Sequence, residues 1–159
     1  MELYILRHGI AENGKPGSPD ADRALTAEGK KKLREILQAA RKAGVLPTLI
    51  VSSPFRRAME TARIAADELG YENPVLETNA LIPSSDPKPV WDEIRVHKGE
   101  SQLMLAGHEP LLSTLTGYLL CAPELLVDFK KGAIVRIDFQ SFGAQPYGVL
   151  KWMLVPKLV

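Results

Sequence analysis

Arg7, His8 and Gly9 follow directly on the apolar run Leu3-Tyr4-Ile5-Leu6, so a permanent cation and a nucleophile-capable imidazole stand where a strand ends. Two further junctions carry the same kinds of group. Ser53-Pro54-Phe55-Arg56-Arg57 follows Leu49-Ile50-Val51-Ser52, and Gly107-His108 follows the apolar stretch Gln102 to Ala106. A guanidinium fork matches phosphate oxygens two at a time and stays charged, while imidazole can attack phosphorus or donate hydrogen bonds to its oxygens. Two arginines and two histidines converging beside helix N-termini would make a phosphoryl site. Arg56 and Arg57 are adjacent, so from a helix only one can face that pocket; the other is a surface charge. The third histidine, His97, falls on the polar side of a short helix and reads as a solvated surface residue.

Convergence of groups so far apart in sequence requires a sheet whose strands end level. Leu3 to Leu6 is too short for a helix and suits a strand covered on both faces. A polar Gly/Pro-rich loop runs from Gly9 through Asp22. Thr26 is a fitting N-cap and Glu28 suits the positive end of a helix; Leu33, Ile36, Leu37 and Ala40 form one apolar stripe that Gly44 closes. Leu49 to Ser52 is the second strand, Pro54 breaks it, and a helix follows from about Arg57 to Leu69, ended by Gly70. Val75 to Thr78 is a short third strand, and the loop Pro83 to Pro89 leads to a brief helix through Trp91 and Ile94 that ends at Gly99. Gln102 to Ala106 is the next strand, with a helix starting near Pro110 whose apolar face is Leu111, Leu112, Leu115 and Leu119. The last third changes character: Ala133 to Phe139 and Val149 to Val155 read as an antiparallel hairpin completing the sheet. Strands alternating with helices predict an α/β fold, a three-layer αβα sandwich with a mainly parallel central sheet. In such a sheet all three junctions share the carboxyl edge, where α/β proteins bind ligands.

Composition narrows the partners. The 159 residues, 45% hydrophobic and 25% charged, fit one domain spanning residues 1–159. Twenty basic and nineteen acidic residues leave a net charge of +1, so no overall field recruits nucleic acid or an anionic membrane, and any anion preference must be local. No apolar stretch approaches the roughly 18 to 20 residues of a membrane span, and nothing at the N-terminus resembles a signal peptide. Cys121 is the only cysteine; it cannot form an internal disulfide and reads as a buried, inert thiol within Tyr118-Leu119-Leu120-Cys121-Ala122. A cytoplasmic, monomeric protein is the expectation.

Four segments taken together carry a family likeness. Leu3 to Gly9, Asp22-Arg23-Ala24-Leu25-Thr26-Ala27-Glu28-Gly29, Ser52-Ser53-Pro54-Phe55-Arg56-Arg57-Ala58-Met59-Glu60-Thr61-Ala62 and Gly107-His108-Glu109-Pro110 together resemble the histidine phosphatase superfamily, with its phosphoglycerate mutase-like fold. Within it the likeness is to the short SixA-type phosphohistidine phosphatases. The resemblance implies that His8 is the nucleophile that becomes phosphorylated and that Arg7, Arg57 and His108 hold the phosphoryl group. It selects Arg57 over Arg56 because the family's arginine directly precedes the helix alanine. It implies no metal or other cofactor, and no Cys/His cluster or paired acidic motif with ligand spacing is visible.

Larger members of that superfamily carry an acidic proton donor in an insertion that also lids the pocket. Here the corresponding stretch, Leu81 to Pro87, has no long insertion and offers only Asp86. Asp86, Glu109 or no residue at all could serve as the acid; the plainer reading makes them a turn aspartate and a helix-start glutamate. A protonatable imidazole leaving group has less need of one. The expected function is thus a metal-independent phosphatase of phosphohistidine on a signalling or phosphotransfer protein, working through phosphorylated His8. The alternatives are a phosphatase of a small phosphorylated metabolite and a non-catalytic phosphate-binding interaction module. Asp22-Arg23 and Lys130-Lys131 could orient a protein partner or simply be solvated; Ser84 and Ser85 could donate to phosphate or form the turn.

Overall fold

Leu3, Tyr4, Ile5 and Leu6 are all fully buried, and their alternation splits the core in two. Leu3 and Ile5 pack on one face with Trp91, Ile94, Leu112 and Leu115, while Tyr4 and Leu6 pack on the other with Leu33, Ile36, Leu37 and Ala62. A strand apolar on both faces must be covered on both, and the chain supplies a helical layer for each. The computed structural model describes residues 1–159. Its strands are β1 (Glu2–Arg7), β2 (Leu49–Ser52), β3 (Leu76–Glu77), β4 (Gln102–Gly107), β5 (Ile134–Asp138) and β6 (Val149–Leu154); its helices are α1 (Ala27–Lys42), α2 (Arg56–Leu69), α3 (Pro87–Val96) and α4 (Leu111–Leu119).

The strand order is β3-β2-β4-β1-β5-β6. β1 pairs parallel with β4, β4 with β2 and β2 with β3, whereas β5 runs antiparallel to β1 and β6 antiparallel to β5. The mixed sheet between two helical layers, with its C-terminal hairpin, is the architecture the alternation of strands and helices predicts. Register does the positioning. Arg7 lies opposite Gly107, and Ser52 lies opposite Ala106, so β1, β4 and β2 stop level with one another. The Thr26 side chain accepts from the Gly29 amide at 2.9 Å, as an N-cap should.

Three expectations need correction. The third strand shrinks to Leu76–Glu77, because Pro74 supplies no amide on one side and Thr78 on the other caps a 3-10 turn at Asn79–Leu81. Helix α3 ends at Val96, with His97 as its C-cap rather than continuing to Gly99. His97 is accordingly half-buried, its Nε2 3.1 Å from a Glu93 carboxylate oxygen. Cys121, expected to be buried, is exposed. Helix α4 closes with the Ala122 amide on the Gly117 carbonyl at 2.8 Å and the Cys121 amide on Tyr118 at 3.2 Å. That closure puts Cys121 in the left-handed position, at φ 55°, and turns its thiol out to the Pro146 carbonyl. No helix is long and apolar enough to cross a membrane.

Candidate active site

His8 leaves β1 at the carboxyl edge with its backbone held on two sides. Its amide donates to the Gly107 carbonyl at 3.0 Å, and the Gly132 amide donates to the His8 carbonyl at 3.0 Å. Close approach then fixes the loop. A Cβ on Gly9 would lie 2.7 Å from Leu33 Cδ1, and one on Gly29 would lie 2.3 Å from the Ile10 carbonyl oxygen. Only glycine at both positions lets the first turn of α1 press against the residues that follow His8. The Gly9 amide donates to Thr61 Oγ1 at 3.2 Å, and Thr61 Oγ1 donates to the Arg57 carbonyl at 2.7 Å. The loop after β1 is thereby tied to the first turns of α2.

The hydrogen bonds of His8 specify its protonation state. Nδ1 lies 2.7 Å from the Gly9 carbonyl, which can only accept, so Nδ1 carries the proton. Arg57 Nε donates to Nε2 at 3.3 Å, and a guanidinium can only donate, so Nε2 presents its lone pair. The ring is 5% exposed. Burial pushes its pKa down to about 4, and the cations Arg57, Arg7 and Lys131 add to that, outweighing the Gly9 carbonyl that favours the charged form. His8 is a neutral imidazole at neutral pH, with its Nε2 lone pair turned toward Arg57.

Arg57 is buried, whereas Arg56 is exposed and pairs with Glu60 at 2.8 Å. The terminal nitrogens of Arg57 are both taken by one residue of the preceding loop: Nη1 donates to the Asp20 carbonyl at 2.9 Å and Nη2 to its carboxylate at 3.0 Å. Nε is left for His8. Asp20 is in turn held by Arg23 at 3.0 Å. The Arg23 hydrogen bond, with help from Arg57, keeps the Asp20 carboxyl below its usual range. Arg7 is anchored differently, donating Nη1 to the Phe129 carbonyl at 2.6 Å while its buried Nε has no partner.

His108 begins the turn after β4 and is 1% exposed. Its ring centroid lies 5.1 Å from that of His8, and Phe55 meets it edge-on at 5.2 Å. Nε2 lies 2.8 Å from Ser53 Oγ, which accepts the Phe55 amide at 3.2 Å. Ser53 Oγ keeps a proton and a second lone pair, so it can pair with His108 Nε2 as donor or as acceptor. The other ring nitrogen, Nδ1, is buried and has no partner. Burial, then His8 and Arg57, push the His108 pKa down to about 3. His108 is therefore neutral.

Arg7 Nε and His108 Nδ1 are the two buried side-chain polar atoms of the molecule without a hydrogen bond; Arg7 precedes His8 in the chain, and the His108 ring lies 5.1 Å from that of His8. Buried polar atoms without partners are costly, so this pair marks a place where a ligand could supply what is missing. Burial first, and the neighbouring cations after it, disfavour further positive charge here, lowering the pKa values of Arg7 and both histidines. A tetrahedral oxyanion would offset the cationic part of that cost.

The four residues named from the sequence, Arg7, His8, Arg57 and His108, thus lie together. Of the two possible acids, Asp86 is exposed at the start of α3 and makes no capping bond. Glu109 lies close enough to Arg7 to favour its charged form, but one of its oxygens accepts the Ser113 amide at 2.7 Å and caps α4. Sequence reasoning missed Asp20. It weighed Asp22-Arg23 as a surface pair, and the arginine of that pair is what holds Asp20 on Arg57. The Ser53 orientation of His108 was discernible only as a serine beside the arginines, and the Phe129 carbonyl, being backbone, left no signal. No group of three or more His, Cys, Asp or Glu side chains is arranged to hold a metal ion.

Residues 3–82 match the family model of the histidine phosphatase superfamily, branch 1. An uncharacterized protein of Picosynechococcus sp. is 36% identical over 111 residues, covering 69% of this chain and 67% of that protein. The 2,3-bisphosphoglycerate-dependent phosphoglycerate mutase of Parvibaculum lavamentivorans is 31% identical over 108 residues, a stretch that spans 60% of this chain and 51% of the mutase. Among solved structures, the protein histidine phosphatase SixA complexed with tungstate superposes with a TM-score of 0.89 over 99% of both chains at 24% identity. The shared architecture is the phosphoglycerate mutase-like α/β fold.

Proposed function

The chain belongs to the histidine phosphatase superfamily, and from that premise we propose that it hydrolyses phosphohistidine on a signalling or phosphotransfer protein, through a covalent intermediate on His8. One observation carries the reading. The lone pair of His8 Nε2 is fixed by the proton on Nδ1 and faces Arg57 Nε, the His108 ring lies 5.1 Å from that of His8, and the two buried nitrogens without partners belong to Arg7 and His108.

His8 Nε2 attacks phosphorus in line as the bond to the leaving imidazole breaks, and that imidazole departs with its own ring proton in place. Positive charge growing on the His8 ring is met by the Gly9 carbonyl at Nδ1. As phosphorus takes the Nε2 lone pair, Arg57 Nε is released from the ring and joins Arg7 and His108 on the equatorial oxygens. Water then attacks the phosphoryl group on His8, releasing inorganic phosphate and restoring the neutral ring.

Phosphohistidine is favoured over an ester because neither candidate acid is aimed at His8 by a hydrogen bond. Asp86 is exposed on another loop, and Glu109 holds the Ser113 amide at the start of α4 with one of its oxygens. Likeness over the whole chain to a protein histidine phosphatase supports the same choice. The second reading, hydrolysis of a small phosphorylated metabolite, is favoured by the match to a phosphoglycerate mutase. A panel of substrates decides between them. We expect kcat/KM for a phosphohistidine-bearing phosphotransfer domain to exceed that for sugar phosphates and phosphoglycerates; the reverse order would overturn the first reading in favour of the second.

A further inference from the structure

Arg7 also lines a second recess of about 480 Å³, whose other cations are Lys32, Lys130, Lys131 and Lys157. These lysines come from three distant parts of the chain: α1, the loop before β5, and the C-terminal turn after β6. The fold gathers them although the whole chain carries a net charge of only +1. Their counter-charges are few. Lys32 pairs with Glu28 at 2.8 Å and Lys130 with Asp128 at 2.8 Å, while Lys131 and Lys157 join no ion pair. The rest of the recess lining is apolar: Ile10, Val155 and Pro156. The patch also reaches the chemistry, since Lys131 is among the cations that depress the His8 pKa.

We propose that this recess is the docking surface for an acidic face of the phosphohistidine-bearing protein, lying beside the phosphohistidine that enters the site. The inference rests on the function proposed above and adds what selects the partner. Its basis is charge complementarity together with position, because Arg7 lines this recess and also neighbours His8, as Lys131 does. The side chains of Lys32 and Lys130 are 47% and 64% exposed. They are long, solvated arms spread across a recess, unlike the buried, converging donors around His8. That form suits a broad acidic surface with an apolar centre better than the compact second phosphate of a metabolite. Such contacts act on encounter and on discrimination between partners, and salt screens them.

Two phosphohistidine peptides test it, one with four glutamates beside the phosphohistidine and one with glutamines in their place. At low ionic strength we expect kcat/KM for the acidic peptide to exceed that for the neutral one by about tenfold, a ratio that falls as salt is added. In the double variant Lys32→Glu/Lys157→Glu the ratio should collapse to unity or invert. Hydrolysis of both peptides at equal rates, or a preference that survives the double variant, would overturn the docking surface and leave the phosphohistidine reading standing. Hydrolysis of neither peptide, with sugar phosphates turned over, would instead remove that reading and the docking proposal with it. A preference for bisphosphates over monophosphates that the double variant erases would reassign the lysines to a metabolite's second phosphate.

Discussion

β1 begins in one arginine cluster and ends in another. At its start, Arg136 of β5 lies between Glu2 at 2.9 Å and Asp138 at 2.8 Å, and the Tyr4 hydroxyl donates to Glu2. One cation meets two carboxylates, and the Asp138 hydrogen bond raises the Arg136 pKa further. At its end, Arg7 and Arg57 share a small space with two histidines, and the one carboxylate bound to either arginine is Asp20, on the outer tip of Arg57. The first cluster is closed and charge-balanced. The second holds excess positive charge, depressed imidazole pKa values and buried nitrogens without partners. That difference sets a charge-balanced use of arginine apart from one suited to receive an anion.

The comparison breaks most sharply on the arginines. Arg7→Ala and Arg57→Ala should each lower kcat/KM by about 10²- to 10³-fold, the range for losing a donor to developing charge. Inorganic phosphate should raise the melting temperature of the parent and fail to raise that of Arg7→Ala, as ligand linkage requires. A phosphate effect that persists in Arg7→Ala would move the anion elsewhere.

Acidity probes the imidazoles. His8 must be neutral to attack, and its pKa is lowered to about 4. The kcat/KM profile should therefore stay flat from about pH 8 to about pH 5 and fall below that as Nε2 takes up a proton. Stability should follow with the same sign. Between the ordinary imidazole pKa and the depressed values, the unfolded chain binds protons that the folded one refuses, so acid weakens the fold progressively from about pH 6.5 down to about pH 4. An activity midpoint near 6.5 would mean that His8 is not held in this dry, cationic surrounding.

Asp20 should have a smaller effect, because it touches Arg57 from the solvent side. Asp20→Asn keeps the backbone carbonyl on Nη1 and removes the counter-charge from Nη2, so kcat/KM should fall about three- to tenfold while phosphate binding persists. A loss as large as that of Arg57→Ala would make Asp20 more than a positioning residue. The smallest effect belongs to the closed cluster. Arg136→Met should leave kcat/KM within about twofold and cost roughly 0.5–1 kcal/mol of stability, as expected for a partly exposed ion pair network. An activity loss there would show that the two ends of β1 are coupled.

Much of this was legible in the sequence, and its limits are instructive. Apolar runs stopping at Arg7-His8, Ser53 and Gly107-His108 placed the chemistry on one sheet edge, because a parallel sheet leaves little choice of where strand ends go. Arg57 rather than Arg56 followed only from a family likeness; a helix wheel says that one must turn away but not which. Val75 to Thr78 read as a full strand because its residue types suit one, yet Pro74 and the Thr78 cap leave it two residues. Cys121 read as buried because apolar neighbours continue past the point where α4 closes in a left-handed turn. Asp20 and the Phe129 carbonyl were beyond reach, since each acts through a tertiary contact that no local pattern announces. The lysines of the second recess were visible only as the pair Lys130-Lys131, without Lys32 or Lys157 beside them.

The central claim is that His8 Nε2, with Nδ1 protonated against Gly9, takes the phosphoryl group. Mixing the protein with a ³²P-phosphohistidine-bearing domain, quenching in base and locating the label tests this directly. The account predicts acid-labile label on His8 at Nε2, with none on His8→Ala. Label on another residue, label on Nδ1, or phosphate release without any labelled enzyme under rapid quench would contradict it.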